Sequence, residues 1–321
     1  MSNSKKPIKI IYDTDIGGDC DDAGTLAMLH RLCDKDEAEL LAVTHCISTP
    51  FVAGCIDSIN RFYKREVPIG INYDIESLER GVYAAELCEK FPNRYPAEGY
   101  KTSCFAPDTL TILRKTLSEA DDDSITLVVT GNLASMAKLV LSKADDISPL
   151  SGKELIAKKI HRTIVMGGRF FESWPMTIFP DGNSAGTHVT WEWNIKGSGL
   201  FNAQSACNEW PGDLIFSSYE IGSYITTMVG YPQRAEQGDP VAFAYEIYNQ
   251  GKGRCSWDQT AMLEAVRPGK YWNYHEYGRI SVDDNFVTHW HPDPDCRHTY
   301  LLPKANYEDI RIAIDDLLDG K

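Results

Sequence analysis

The chain has 321 residues, 43% of them hydrophobic and 24% charged, an ordinary globular usage that excludes wholesale disorder. Its 46 acids against 32 bases leave a formal net charge of −14, a field that repels a phosphate polymer and argues against DNA or RNA as a partner. No run of about 18 apolar residues is present, so no membrane span is expected, and 9 scattered cysteines without a CxxC pair point to reduced thiols in a cytoplasmic protein.

In chain order, the apolar run at 8–12 predicts a buried strand, and Leu26, Leu29 and Cys33 at helical spacing predict a helix over 21–33. A strand at 39–44, a helix over 52–63 carrying Ile56 and Ile59, and a strand at 67–70 follow. Leu110, Leu113 and Leu117 repeat the helical period over 109–120. Strands at 125–129 and 163–166 are separated by a helix over 133–143, and 214–216 reads as another strand. Such alternation implies an α/β fold, an open and mostly parallel sheet with helices on both faces. Two segments, 71–108 and 168–190, are rich in Gly, Pro, Tyr and Phe and read as long loops of the kind that wall a site. Helices return at 240–249, 259–266 and 306–318. With no repeat, linker or low-complexity tract, residues 1–321 read as one domain.

The densest chemistry follows the first strand. Asp13, Asp15, Asp19, Asp21 and Asp22 fall within ten residues, at the strand end where open α/β sheets bind ligands. Alternation puts Asp13 and Asp15 on one side, and Asp21 and Asp22 open the helix, where the dipole favours negative charge. Carboxylates this dense repel one another unless a cation sits between them, and oxygen donors without Cys or His select Ca²⁺ or Mg²⁺. A helix N-cap accounts for one or two acids but not five. An EF-hand fails because Leu26 holds its twelfth position and a strand precedes the loop. A phosphatase with an aspartyl nucleophile shares the strand-then-DxD start, but Gly17 stands where Thr or Val is usual, and 10–29 lacks Lys or Arg near the cluster for an anion.

Asp13-Thr14-Asp15-Ile16-Gly17 followed by Asp21-Asp22-Ala23 resembles the signature of the nucleoside hydrolases, the inosine–uridine-preferring type and their relatives. The resemblance continues in the family's order through Val129-Thr130-Gly131-Asn132-Leu133, Val165-Met166-Gly167-Gly168, Glu192-Trp193-Asn194-Ile195 and Trp257-Asp258-Gln259-Thr260-Ala261. It implies the Rossmann-like nucleoside hydrolase fold, a tightly held Ca²⁺, and hydrolysis of N-glycosidic bonds. It also implies a homo-oligomer, a role in nucleoside salvage and purine metabolism, and a small nucleoside or riboside as the partner, rather than a nucleic acid polymer or a membrane.

Position by position, the resemblance makes Asp15 a metal ligand and the general base, Asp22 a bidentate metal ligand, and Asp21 a ligand that also grips ribose hydroxyls. Thr130 would offer its backbone carbonyl to the metal, and Asp258 would complete the shell. Glu192 and Asn194 match the pair that holds the sugar. Asn183, in the Gly/Pro-rich loop, is a further ribose candidate at an offset from Glu192 that departs from the family's spacing. From the residues alone, Asp258 reads equally as an N-cap of the helix over 259–266, and Glu192 and Asn194 as part of a half-buried edge strand.

Three departures stand out. Six residues separate Asp15 from Asp21, whereas the shorter family motif leaves four, so Asp19 falls at the original spacing as an alternative ligand. Ser48-Thr49 stands where familiar members place Asn after the second strand. Trp257 precedes Asp258 where members often carry a His as candidate acid; base expulsion would then lean on stacking against Trp257, Trp191, Trp193 or Trp174. The missing His also motivates a rival from another class, a non-catalytic nucleoside- or sugar-binding homologue that keeps the metal site.

Overall fold

The computed structural model describes residues 6–77, 81–95, 106–170 and 190–321. The strands are β1 (Ile8–Thr14), β2 (Ala38–His45), β3 (Ile69–Ile71), β4 (Ile125–Val129), β5 (Ile160–Met166) and β6 (Leu214–Ser217). They continue with β7 (Thr226–Thr227), β8 (Arg254–Cys255), β9 (Trp272–Tyr274), β10 (Arg279–Val282), β11 (Thr288–His291) and β12 (His298–Pro303). Eight of them form one sheet in the order β3-β2-β1-β4-β5-β6-β12-β9. Every pairing is parallel except that of β12 with β9 at the edge.

The central strands are largely apolar because both faces are covered; all five residues of β4 are buried. Successive residues serve opposite faces. Ile10, Tyr12, Val128, Ile164 and Ile215 pack with helices Asp21–Asp34, Val52–Phe62, Pro240–Asn249, Trp257–Val266 and Tyr307–Leu318. Ile11, Leu127, Val129, Val165 and Phe216 pack with helices Thr109–Glu119, Ala134–Val140, Gly152–Lys159 and Leu200–Glu209 on the other face. The open, mostly parallel sheet with helices on both faces is as the sequence predicts.

Differences from the expected elements are local. The segment 71–108 contains a helix, Ala84–Lys90, with Ala84, Ala85, Leu87 and Cys88 buried; its single short turn is too brief to announce a period. The helix expected over 259–266 begins two residues earlier, at Trp257. The helix expected over 306–318 starts after Asn306, whose side chain caps it by accepting from the Glu308 N–H. The loop expected over 168–190 lies, from 171 to 189, outside the described residues.

What positions the site is the strand order. Reading outward, connections run one way from β1 through β2 to β3 and the other way through β4, β5 and β6. The carboxyl ends of β1 and β4 therefore flank the topological switch point, where the diverging crossovers leave a crevice. Asp13, Thr14 and Asp15 emerge from the first and Thr130 from the second.

Candidate metal and active site

The acidic motif turns sharply as it leaves β1. Gly17 has φ of +121°, a conformation only glycine adopts without strain, and its N–H and C=O are both held, by Tyr83 Oη at 3.1 Å and by the Val82 N–H at 2.7 Å. The Tyr83 hydroxyl also donates to the Asp19 carbonyl at 2.7 Å. The motif then enters helix Asp21–Asp34 with Asp21 and Asp22 in its first turn and both buried. From the far end of the chain, helix Trp257–Val266 presents Asp258 in its own first turn. Asp258 is thus inside the helix, and Ser256 occupies the N-cap position.

One carboxylate oxygen from each of Asp21, Asp22 and Asp258 lies within 4.8 Å of the others. The Asp258 N–H points at Asp21 Oδ2 (3.4 Å). Asp22 Oδ1 accepts from the Thr14 hydroxyl and from Thr130 Oγ1 (3.2 Å), and Thr130 Oγ1 is in turn bonded to the buried Tyr12 hydroxyl at 2.9 Å. Hydroxyls from both strand ends therefore fix Asp22 at the switch point. Burial, then repulsion from neighbouring carboxylates, holds Asp22 and Asp258 well above the usual carboxylate range; Asp21 is raised by burial and by Asp19, with Arg254 opposing.

Asp15 is half-buried beside them. Burial pushes it up to about 6, against a hydrogen bond with Asp22 that lowers it. Asp13 sits deeper, pushed up to about 7 by burial; its Oδ1 accepts from the Thr44 hydroxyl at 2.5 Å, and its backbone C=O from the Thr130 N–H at 2.8 Å. Asp13 thus ties β1 to β2 and to the end of β4, and works as a structural carboxyl behind the cluster.

The residues fit a hard divalent cation. Asp21, Asp22 and Asp258 offer only oxygen, converge from two helix N-termini, and are held in a state of mutual repulsion that a cation would relieve. Ca²⁺, which accepts many oxygens in irregular geometry, suits the donor set. Thr130 reaches Asp22 with its hydroxyl, while its carbonyl accepts from Asn194 Nδ2 at 2.6 Å. A carbonyl oxygen has a second lone pair, so that bond orients Thr130 without consuming it.

Asp19, the alternative ligand by spacing, has a different partner. Its carboxylate is gripped by Arg254, with Nε at 2.9 Å from both oxygens and Nη2 on Oδ2. The guanidinium also lies 4.8 Å over the Trp257 ring and 5.4 Å from that of Tyr248. Nothing in the sequence marks Arg254: it stands 235 residues from its partner, in no motif, on the two-residue strand β8.

Glu192 and Asn194 come to the same crevice by a local device. Glu192 caps the short helix Trp193–Gly197, its carboxylate accepting from the Asn194, Ile195 and Gly168 N–H groups at 2.9–3.2 Å. Burial nonetheless pushes it up to about 7. Asn194 Nδ2 reaches the carbonyls of Thr130 and Met166, at 2.6 and 3.1 Å, linking the ends of β4 and β5. Trp193, by contrast, is 71% exposed, and Asn183 lies outside the described residues.

Trp257 is 7% exposed. Its indole N–H donates to the Tyr219 carbonyl at 2.9 Å, and its ring stacks on that of Tyr219, with centroids 5.4 Å apart. Arg169 lies 4.1 Å over Tyr219 in turn. With Tyr219 on the ring and Arg254 over it, Trp257 keeps little surface for a base. Tyr219 and Arg169 are the residues that sequence reasoning missed here; only their positions just past β6 and β5 could have flagged them, as residues leaving the carboxyl ends of parallel strands.

No protein-family model matches the chain, and no curated protein matches it by sequence. Solved structures do match its fold. A plant nucleoside hydrolase superposes with a TM-score of 0.65 at 16% identity, covering 98% of this chain and 100% of that one. The inosine–uridine preferring nucleoside hydrolase from Bacillus anthracis gives 0.63 at 17% identity, covering 98% and 100%. The type III effector XopQ, solved with adenosine diphosphate ribose, gives 0.63 at 13% identity, covering 99% and 94%. The chain has the nucleoside hydrolase fold over nearly its whole length.

Proposed function

We propose that this chain hydrolyses the N-glycosidic bond of a ribonucleoside or related N-riboside to free base and ribose, using a calcium site built from Asp15, Asp21, Asp22, Asp258 and the Thr130 carbonyl. The observation that carries this reading is the convergence of buried Asp21, Asp22 and Asp258 beside Asp15, at the switch point of a sheet with the nucleoside hydrolase fold. A cation bound there would supply a fixed positive charge that orients the ribose hydroxyls and eases deprotonation of a water.

Asp15 is the base. It is the half-buried carboxylate beside the three buried ones that converge, and so the one that a water in the crevice can reach. It takes the proton of the attacking water as oxygen bonds to C1′. The electron pair of the breaking C1′–N bond leaves with the nucleobase, which takes up a proton from solvent, through a transition state of oxocarbenium character. Asp21 grips ribose hydroxyls beside Asp15. Glu192 and Asn194 serve as hydroxyl partners, with Asn183 a further one; Glu192 Oε2 already accepts three N–H groups, while Oε1, which accepts one, keeps a lone pair for a sugar hydroxyl.

A second reading, a nucleoside- or sugar-binding protein without turnover, is favoured by one observation: the position before Asp258 holds Trp257, whose ring is covered by Tyr219 and Arg254, so a leaving base meets neither an imidazole acid nor a stacking face there. A reducing-sugar assay over a nucleoside panel, with a nitrophenyl riboside included, separates the two. Hydrolysis predicts sugar release that stops with a calcium chelator and returns with added Ca²⁺. Ligand binding across the panel without any sugar release supports the second reading.

Trp257 gives a further expected outcome. Because its ring is covered, Trp257→Ala is expected to slow a purine nucleoside and a nitrophenyl riboside by similar factors, through displacement of Asp258 next to it. A loss confined to the purine substrate, measured as kcat/KM for each, would instead make the indole a stacking surface for the base.

A further inference from the structure

Beyond the four carboxylates proposed as ligands and the structural Asp13, the cluster contains Asp19, and the chain supplies a cation of its own for it. Asp19 is adjacent to Asp21, whose proton affinity it raises. Yet the Asp19 side chain is turned onto Arg254 in a two-pronged ion pair, with Nε at 2.9 Å from each oxygen. The Arg254 side chain is itself only 12% exposed, stacked over Trp257 and near Tyr248. A planar guanidinium packed against rings and bonded through two nitrogens has little freedom to release its partner.

We infer that Arg254 holds Asp19 out of the coordination shell of the cation, so that the shell keeps a position for water and sugar hydroxyls. The inference rests on the proposed calcium site. A fifth carboxylate admitted to that shell would raise affinity, since Ca²⁺ sites tighten with ligand charge, and would close the position that a catalytic site keeps open. Arg254 is a positioning residue in this scheme, acting through Asp19 and touching no substrate.

Two simpler roles make the opposite forecast. If Arg254 merely props the loop, its loss loosens the site, and second-layer changes of that kind weaken metal binding by about 10–100-fold. If Asp19 already belongs to the shell, removing it together with Arg254 weakens binding as well.

Calcium affinity of chelator-stripped protein, measured by titration calorimetry, decides between them. Arg254→Gln is expected to bind Ca²⁺ about tenfold more tightly than the wild type, with kcat falling at saturating calcium. The double variant Asp19→Asn with Arg254→Gln is expected to return to within about threefold of wild-type affinity and to recover turnover. Arg254→Lys keeps the charge and the packing stem but loses the planar fork; it should shift affinity in the same direction by a smaller factor, which covers the case in which the Gln variant does not fold. Unchanged or weaker calcium binding in the folded single variants overturns the inference, as does a double variant that binds more weakly than about threefold below wild type. Absence of calcium binding by the wild type fails the metal reading instead, and is distinguishable from either result.

Discussion

Asp15→Asn is expected to lower kcat by about 10²–10⁴-fold while leaving substrate binding within a few-fold of wild type. A positioned general base contributes a factor of that size, and the amide keeps an oxygen toward the cation but cannot take a proton. The neighbours sharpen the expectation. Asp22 is bonded by Thr14 and Thr130, Asp19 by Arg254, and Asp21 faces Asp258; none of these can replace the lost base without breaking a bond already made. Steady-state kinetics on a nitrophenyl riboside and on a natural nucleoside provide the measurement. A near wild-type kcat for the folded variant would remove Asp15 from the chemistry and leave it a ligand only.

Asp22→Ala is expected to abolish calcium binding and the stabilisation that calcium confers. Asp22 is the carboxylate at the switch point, bonded from both strand ends, and with Asp21 and Asp258 it forms the converging set. A ligand bound only by the folded state stabilises it by about 4 kcal/mol at a thousandfold over its dissociation constant. At about 2.1 cal/mol/K per residue, the unfolding entropy of a chain this size makes that roughly 6 °C in Tm. The wild type should show this rise on adding calcium and the variant should not. In the absence of calcium the sign reverses: with one fewer buried, repelling carboxylate, the variant should melt no lower than the chelated wild type. Equal calcium shifts in the two proteins would sink the assignment of Asp22, and elemental analysis that finds zinc in the wild type would sink that of calcium.

The sheet was legible where burial made it simple. β1, β2, β4 and β5 are covered on both faces and read as near-continuous apolar runs. β9, β10 and β11 are not: Trp272-Asn273-Tyr274 and Thr288-His289-Trp290-His291 mix aromatic and polar residues, and are buried at some positions and exposed at others. Among the described residues β10 and β11 pair only with each other, in a local hairpin outside the main sheet, and β9 pairs only with β12 at its edge, so no continuous apolar run marks them. The same division holds at the site. Asp13, Asp15, Asp21 and Asp22 were legible because they crowd one strand end, and the resemblance to nucleoside hydrolases added Thr130 and Asp258, which the structure brings to the same place. Asp19 stood out by spacing as an alternative ligand, but its pairing with Arg254 was not readable. The residue that decides it is a lone arginine from a distant two-residue strand, and guanidinium geometry leaves no periodic or spacing signal. Glu192 had a local signal, an acid two residues before the backbone N–H of Asn194, but N-capping competes with an extended reading until the helix behind it is seen.

The span between the two halves of the site has a consequence for how the protein comes to be made. The Asp258 N–H meets Asp21 across 237 positions, and Arg254 meets Asp19 across 235. At about 5–20 residues per second of synthesis, the acidic loop emerges from the ribosome roughly 10–50 s before the segment that completes it. Throughout that interval the nascent chain carries its clustered aspartates without Arg254 or Asp258. At the proposed site a cation could be captured only when the last fifth of the polypeptide has docked, which would make metal loading a late event in biogenesis. A chain truncated before residue 254 would carry the whole signature motif and hold no calcium.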